Sequence, residues 1–422
     1  MPLTLYGDGA RFARIDSLEI VAFSLLLSKE ATWVHRIVSA CFVKSAEYGT
    51  STWQAIWDVL VWSLNAVFAG RHPELDHLGR PWPEGSYGAQ RAGKPFSPEG
   101  FFGVVHRICG DLDWYHKRLG LRVASAANLP CAWCDGGRPP LHPPFLHLEP
   151  HAAWIPTIHV PPRPAPSHHP IWQITGVSQF TVGLDLMHTL DLGVLAHFEG
   201  SVLHSLLFDN EMRGTLVQRE SELWQHLRAS YSTHKTPTRI TSLQRSLWCD
   251  PSKPHVTWPV MTTKAAENRQ LLVPILELCR HYDSGSPRDA ARVRAAEHLR
   301  RLQATFDAAP PFLSEADVRS VEESVWAFCY QYHALSAEAA TRGVRAFHIV
   351  NKFHMLIHLT LAAKFLNPRL LWTYGYEDLV GRMKRIAVAS KSGLKASMLT
   401  STIFLKYRRV LFVSLKKAES AL

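Results

Sequence analysis

The sequence predicts a protein of the α/β class, in which a β-rich start leads into a long, mostly helical middle and a helical end. Runs of β-branched and aromatic residues dominate residues 1–45. Apolar residues recur at helical spacing through most of residues 180–345 and again towards the C-terminus. With 422 residues, of which 46% are hydrophobic and 19% charged, the chain can bury a large core and does not have the composition of a disordered protein.

The first elements can be assigned in chain order. The runs PLTLYGD, SLEIVAFSLLLS and WVHRIVSACFV predict three strands, and GFFGVVHRICG predicts a short, buried fourth strand. Before that strand, STWQAIWDVLVWSLNAVFAG carries an apolar helical stripe that ends at Gly70. DLDWYHKRLGL has an acidic start and a glycine near its end, so it predicts a helix directly after the fourth strand.

A proline-rich stretch separates this region from the helical middle. Residues 135–170 carry 11 of the 27 prolines, so we expect no regular structure there. Trp154 and other apolar residues in the stretch need burial, which predicts a connector wrapped against the protein. The expected organisation is a first part of the core over 1–134, a connector and helical insertion over 135–345, and final core helices with a basic end over 346–422.

The charge is concentrated at the C-terminal end. Residues 361–422 hold 12 Lys and Arg against three acids, a net +9 out of +10 for the whole chain. Such an end indicates a polyanionic partner, nucleic acid first, although a solvated helix face has the same composition. No apolar run of about 18 residues is present, so we expect no membrane partner. The N-terminus lacks a basic region followed by an apolar one, so we expect no signal peptide.

Two pairs of metal-ligating residues stand out. Cys131 and Cys134, in CAWC, have the spacing of two zinc ligands, of a redox dithiol or of a chance pair. The redox reading is disfavoured because a proline-rich coil follows, whereas a reactive cysteine is favoured at a helix N-terminus. His354 and His358 lie four apart on one face of a predicted helix. They complete a tetrahedral Cys₂His₂ set with the cysteines, or they are two buried histidines of an apolar helix.

Three acidic positions are candidates for catalysis. Asp8 follows an apolar strand and precedes a glycine, where a turn role is common. Asp111 lies between a strand and a helix, where a helix N-cap is the usual role, and Asp113 competes for either role. Glu377 opens an amphipathic helix, with Asp378 as its rival. The same helix carries three cations that suit phosphate binding: Arg382, Lys384 and Arg385.

The order of these features resembles the DDE transposase and recombinase catalytic domain, most of all the CACTA and Plavaka type of cut-and-paste transposases. GDLDWYHKRLGLRVASAANLPCAWC is similar to the block around that family's second aspartate. LDLMHTLDLGVLAHFEGSVL is similar to its D-x-x-H block, here Asp185 and His188. The resemblance covers residues 1 to about 400. The V(D)J recombinase catalytic subunit, a distant relative, holds zinc with a CxxC after its second aspartate and a histidine pair before its glutamate.

The resemblance implies an RNase H-like mixed sheet core interrupted by a large, mostly helical insertion. Asp8, Asp111 and Glu377 would hold two Mg²⁺ or Mn²⁺ ions for cleavage and strand transfer of double-stranded DNA. A structural Zn²⁺ would be held by Cys131, Cys134, His354 and His358. Asp185 and His188 would be accessory residues near the active site. Arg382, Lys384 and Arg385 would bind DNA, and we expect a nuclear protein, with a homodimer as an open possibility.

Other functions are compatible with the same residues. Loss of any one acid would leave an inactive or domesticated relic that acts as a DNA-binding or protein-interaction module. Only seven residues precede Asp8, so we expect the chain to lack the family's N-terminal DNA-binding domain, which is a departure from the family. A zinc hydrolase that uses the Cys/His metal is disfavoured, because four protein ligands leave no position for a water molecule.

Overall fold

A computed structural model of the protein describes residues 1–26, 35–122, 128–159, 169–209, 212–391 and 393–419. Its strands are β1 (Pro2–Arg11), β2 (Ser17–Leu25), β3 (Arg36–Val43) and β4 (Val104–Cys109). Its α-helices are α1 (Gly49–Ala69), α2 (Tyr87–Arg91), α3 (Leu112–Leu119), α4 (Leu195–Phe208), α5 (Leu216–Thr233), α6 (Ala265–His281), α7 (Pro287–Ala308), α8 (Glu315–Thr341), α9 (Asn351–Ala362), α10 (Tyr374–Val388) and α11 (Ala396–Glu419). The protein is therefore of mixed α/β class, as the sequence predicts.

The chain forms two compact units. The first unit comprises Met1–Ala126, Val160–Gly183 and Thr373–Leu422, and the second comprises Ala127–His159 and Leu184–Trp372. The second unit thus extends beyond the expected insertion of residues 135–345 on both sides. The cysteine pair and the histidine pair were expected in the flanking core segments. Both pairs belong to the second unit, because they pack against each other there.

A four-stranded mixed sheet lies in the first unit, in the order β3-β2-β1-β4. Strand β1 pairs antiparallel with β2, which pairs antiparallel with β3, and β1 pairs parallel with β4. Buried β-branched and aromatic residues dominate all four strands, which is why these segments form sheet. The four strands expected from the sequence are present. Residues 27–34, which include parts of two of the expected runs, lie outside the described residues.

Helices pack on both faces of this sheet. Alternate side chains of β1 point to opposite faces. On one face, Tyr6 stacks on Tyr376 of α10 with ring centroids 4.3 Å apart. On the other face, Gly7 lies beneath the indole ring of Trp114 in α3. The residue after Gly7 is Asp8, so it shares the face of Tyr6 and α10.

The second unit is helical, as expected, and contains α4 to α9. A π-helical segment, Met187–Val194, leads directly into α4 and was not expected from the sequence. Phe353 at the start of α9 packs on Tyr332 of α8 with ring centroids 4.4 Å apart. In the proline-rich stretch, residues 135–159 form turns and one short 3₁₀ helix, and residues 160–168 lie outside the described residues. Among the helices of the described residues, none combines the length and apolarity that a membrane span requires.

Candidate active site and candidate metal centre

Two of the predicted catalytic acids lie towards the carboxyl ends of neighbouring parallel strands: Asp8 lies within β1 rather than after it, and Asp111 follows β4 by two residues. In the register of β1 and β4, Tyr6 pairs with Cys109. Asp8 and Asp111 each follow these partners by two residues, so they occupy corresponding positions along the two strands. A mixed sheet with this pair of parallel strands therefore brings together two acids that are about 100 residues apart in sequence.

Asp111 is the N-cap of α3, as its position between a strand and a helix predicts. Its Oδ1 accepts a hydrogen bond from the backbone N–H of Trp114 at 2.6 Å. This bond fixes the carboxylate at the edge of the sheet. The neighbouring Asp113 is exposed and forms an ion pair with Lys117 at 2.6 Å on the helix surface. The geometry favours Asp111 over Asp113 as the site residue.

Glu377 lies on α10, and its charge acts on Asp8, but Glu377 is not among the residues that line the cavity of Asp8 and Asp111. The preceding residue, Tyr376, is buried, and its hydroxyl lies 2.6 Å from Ser24 Oγ on β2. This contact and the stacking on Tyr6 anchor the first turn of α10 against the sheet. Asp378, the rival of Glu377, is exposed and pairs with Arg382 at 2.9 Å. Of these two acids, Glu377 is half-buried, and it is the one whose charge acts on Asp8 in β1.

Asp8 is electrostatically coupled to the other two acids. Burial first, and then the nearby charges of Glu377 and Asp111, raise the pKa of Asp8 from 3.8 to about 7. Hydrogen bonds from the Tyr6 hydroxyl at 2.9 Å and from the backbone N–H of Gly9 at 2.7 Å act in the opposite direction. A carboxylate that is buried beside two others is disfavoured as an anion unless a cation joins it. A divalent metal ion at this position would stabilise the anionic form of Asp8.

Asp8 and Asp111 line a cavity of about 360 Å³ in the first unit. Four cations also line it: Arg11, Lys44, Lys117 and Arg118. Arg118 is held in place by ion pairs with Glu19 at 3.0 Å and Glu47 at 3.2 Å. Arg118 therefore fastens α3 to the neighbouring elements, whereas other cations of the lining suit contact with a phosphate.

The donor set of this site suits Mg²⁺ or Mn²⁺, which prefer carboxylate oxygens. The three acids are less tightly gathered than the Cys/His residues discussed below. Among the described residues, only two clusters have all their ligand atoms within 4.8 Å of one another, and the acids are in neither. The catalytic roles of Asp8, Asp111 and Glu377 stay predictions.

Two glycines are part of this site, although the sequence analysis did not single them out. A Cβ atom on Gly7 would lie 1.8 Å from the indole of Trp114, and one on Gly110 would lie 2.9 Å from the backbone oxygen of Gly7. The indole therefore packs directly on the backbone next to both aspartates. The signal in the sequence is that each candidate aspartate directly follows a glycine, in YGDG and CGDL.

We predict that Gly7→Ala displaces Trp114 and with it the helix that carries Asp111. The added methyl overlaps a rigid ring, so the free energy of unfolding should fall by about 1–3 kcal/mol. Urea unfolding of the purified variant measures this loss. Gly9→Ala is the matched control, since its Cβ would meet only the flexible carboxylate of Glu19 at 3.1 Å. Equal stability of the two variants would contradict the packing role of Gly7.

The predicted zinc ligands form a buried cluster in the second unit. Cys131 Sγ lies 3.4 Å from His358 Nε2, Cys134 Sγ lies 3.4 Å from His354 Nε2, and the two Nε2 atoms are 3.0 Å apart. One ligand atom from each residue lies within 4.8 Å of the other three. The four side chains are at most 7% exposed. The structure thus brings together residues more than 200 positions apart, as the spacing of the two pairs predicts.

These distances fit a tetrahedral metal ion. Bonds of about 2.3 Å to sulfur and about 2.0–2.1 Å to nitrogen place tetrahedral S and N ligands about 3.5 Å apart. His354 Nδ1 lies 2.6 Å from the carbonyl oxygen of Phe145, so Nδ1–H donates there and Nε2 is the ligand atom. Burial lowers the pKa of His354, which favours the neutral imidazole that binds metal. The cluster can therefore hold a metal ion such as zinc.

The surroundings of the cluster support the thiolate form of Cys131, whereas the hydrogen bond with Cys131 and then burial raise the pKa of Cys134. The backbone N–H of Trp133 donates to Cys131 Sγ and that of Gly136 to Cys134 Sγ, each at 3.3 Å. Burial acts to raise the pKa of Cys131, but hydrogen bonds within the cluster and the charge of His358 hold it well below its usual value. Trp154, fully buried, packs with its ring centroid 4.0 Å from that of His354. The proline-rich stretch thus covers the cluster with its tryptophan.

Asp185 and His188 lie at the start of the π-helical segment in the second unit. Asp185 accepts hydrogen bonds from the backbone N–H of Met187 and of His188, each at 3.1 Å. Its carboxylate also bonds the His188 ring at Nδ1. This is the helix-capping arrangement that serves as the alternative to an accessory catalytic role. The accessory role stays a prediction.

The expected DNA-binding cations lie on α10. Lys384 and Arg385 are exposed and, with Gly381, line a surface groove of about 420 Å³. Arg382 pairs with Asp378 and is half-buried. Lys384 and Arg385 are thus placed for contact with a polyanion, and Arg382 also stabilises its own helix.

No protein-family model and no curated protein sequence matches this chain. The functional assignment therefore rests on the geometry of the two clusters.

Proposed function

We propose that the protein is a metal-dependent enzyme of the DDE transposase type, which cleaves double-stranded DNA and transfers its strands. The observation that carries the proposal is the corresponding placement of Asp8 and Asp111 on the parallel strands β1 and β4, with the charge of Glu377 from α10 acting on Asp8. The mixed sheet supports it, because an RNase H-like core is what the family resemblance implies. The strands of that sheet come from the N-terminal part of the chain, and the first unit also includes the C-terminal helices α10 and α11, as expected of a core with a long insertion.

In this proposal the three acids are ligands of two divalent ions. Two bound Mg²⁺ or Mn²⁺ ions would activate the attacking water or 3′-hydroxyl and stabilise the leaving oxygen of an in-line phosphodiester displacement. Asp8 holds a proton near neutral pH and releases it to become a ligand. Asp111 keeps one oxygen on the Trp114 N–H, which fixes its direction. Lys44, exposed beside the cavity, and the α10 cations would contact the DNA backbone.

The Cys/His cluster has a structural role in this proposal and is proposed to hold Zn²⁺. Four protein ligands close the coordination shell, so no position is left for a water nucleophile. The cluster joins the CAWC segment to α9 within the second unit. A zinc ion there would fasten together two parts of that unit that are more than 200 residues apart in sequence.

The proposal is tested by DNA cleavage with Asp111→Asn. Asparagine is as good an N-cap as aspartate, so α3 is retained while the metal-binding charge is lost. We expect nicking of supercoiled plasmid in Mn²⁺, and joining of a 3′-hydroxyl oligonucleotide to it, to fall by about 100-fold or more. The matched control is Asp113→Asn, which removes an exposed acid two residues away and should keep full activity.

The pair Glu377→Gln and Asp378→Asn repeats the comparison on α10. The proposal would be contradicted if the wild-type protein cleaves DNA and both Asp111→Asn and Glu377→Gln cleave it equally well. The wider spacing of the acids also supports the alternative of an inactive relic that binds DNA. That alternative predicts salt-sensitive DNA binding without cleavage by the wild-type protein, and loss of binding in a Lys384→Ala/Arg385→Ala double variant.

A further inference from the structure

A second cluster of metal-ligating side chains lies at the surface of the second unit, between α5 and α6. Glu222 and His226 are four residues apart on α5 and therefore share one face of that helix. His281 is the last residue of α6. One ligand atom from each of the three residues lies within 4.8 Å of the other two. The cluster is separate from the Cys/His residues and contains none of the proposed catalytic acids.

The packing of the two helices holds these three residues together. The ring centroids of His226 and His281 are 4.3 Å apart. Tyr282, the residue after α6, donates a hydrogen bond from its hydroxyl to Glu222 Oε1 at 2.7 Å. An outer hydrogen bond of this kind orients a carboxylate and is typical of metal ligands. The carboxylate has further lone pairs for a cation, since each carboxylate accepts several bonds.

Arg280, the residue before His281 on α6, forms an ion pair with Glu297 of α7 at 2.8 Å. Arg280 is therefore engaged away from Glu222.

We propose that Glu222, His226 and His281 form a surface site for a borderline divalent transition-metal ion, with Zn²⁺ as its physiological occupant. Two imidazoles and one carboxylate select zinc, copper or nickel over Mg²⁺ and Ca²⁺, which prefer oxygen ligands. Three protein ligands leave a coordination position for water or for a group of another molecule. The bound ion cross-links α5 to α6. The site stands independently of the proposed DNA chemistry.

The test is calorimetric titration with Zn²⁺ of protein that was first loaded with zinc and then desalted, so that tightly held zinc stays in place. We expect the wild-type protein to bind one equivalent more than the His226→Ala/His281→Ala double variant. Glu222→Gln, whose amide oxygen still accepts from Tyr282, should weaken this binding about tenfold or more. His234→Ala is the matched control, because His234 directly follows α5 and bonds Glu277 of α6 at 2.6 Å outside the cluster.

Two results would overturn the proposal. The first is an equal zinc stoichiometry of the wild-type protein and the double variant. The second is a loss of the extra equivalent in His234→Ala as large as in the double variant, which would indicate nonspecific uptake by surface histidines. Because the substituted histidines are half-buried or exposed, both variants should fold, and circular dichroism before the titration verifies this.

Discussion

Substitution of Cys134 by serine is expected to abolish stoichiometric zinc binding at the Cys/His cluster and to unfold the part of the second unit around it. A structural zinc ion contributes about 10–16 kcal/mol of apparent binding free energy in zinc-finger peptides, and this energy is available only to the folded chain. Without the ion, two histidines and the remaining thiol would be buried together with no cation between them. Elemental analysis measures the metal, and thermal unfolding followed by circular dichroism measures the stability.

Cys249→Ser is the control for this experiment. Cys249 is a buried cysteine of the same unit that belongs to no metal cluster of the described residues. Its substitution changes one buried sulfur to oxygen but leaves the metal ligands intact, so zinc content should stay at the wild-type level. A chelator strong enough to extract the ion should reproduce the effect of Cys134→Ser on the wild-type protein. If Cys134→Ser keeps both its zinc and its stability, the structural role of the cluster is refuted.

The sequence predicted this cluster because its information is local. The spacing of CAWC and the helical spacing of His354 and His358 each define a pair of ligands that can face one metal ion. The two pairs could be joined because each supplies two ligands and a tetrahedral zinc site needs four. The covering residues were less predictable. That Phe145 would accept the His354 Nδ1–H depends on how a proline-rich segment folds, which no periodic pattern encodes.

Strands and long helices were predictable from the sequence for the same reason, since period and composition are local. The strand pairing was not. That Asp8 and Asp111 correspond in register follows from the parallel pairing of β1 and β4, which are separated by about 90 residues. The role of Gly7 follows from the position of Trp114, and the surface cluster follows from the packing of α5 on α6. Each of these depends on contacts between distant segments.

The surface cluster also shows why one-dimensional motifs miss ligands. Glu222 and His226 are four residues apart, but with 23 histidines in the chain such pairs arise by chance. This pair differs from others in two respects: His281 of α6 lies beside it, and the Tyr282 hydroxyl donates a hydrogen bond to the Glu222 carboxylate. A pair of ligands becomes a candidate site when a third residue converges on it in space.

The candidate active site should destabilise the protein when its cations are absent. Asp8 has a pKa of about 7 in the folded protein against about 3.8 in the unfolded chain. The folded state therefore binds the proton more tightly, and its stability falls as the pH rises from about 4 to about 7. Each pKa unit corresponds to about 1.4 kcal/mol, so at pH 8 the ionised carboxylate costs about 4 kcal/mol. Acids placed to bind metal ions are stable as anions only when the ions are bound.

We therefore predict that Asp8→Asn stabilises the protein in buffer without Mg²⁺ or Mn²⁺, by a few kcal/mol at pH 8 and by much less at pH 5. Asparagine retains a partner for the Tyr6 hydroxyl but carries no charge. Urea unfolding of both proteins at the two pH values measures the difference, and the comparison at equal pH cancels the titration of all other groups. Asp378→Asn, an exposed acid paired with Arg382, should show little change with pH.

Addition of Mn²⁺ at pH 8 should reverse the order. The ions stabilise the wild-type protein through Asp8, Asp111 and Glu377, whereas Asp8→Asn has lost one of the three ligands and gains less. If Asp8→Asn is less stable than the wild type at pH 8 without metal, the carboxylate is stabilised by the protein itself and the acids are not arranged to receive a cation. A wild-type stability that is insensitive to Mn²⁺ would lead to the same conclusion. The two results together separate an acid cluster that awaits a metal ion from one that is only part of the fold.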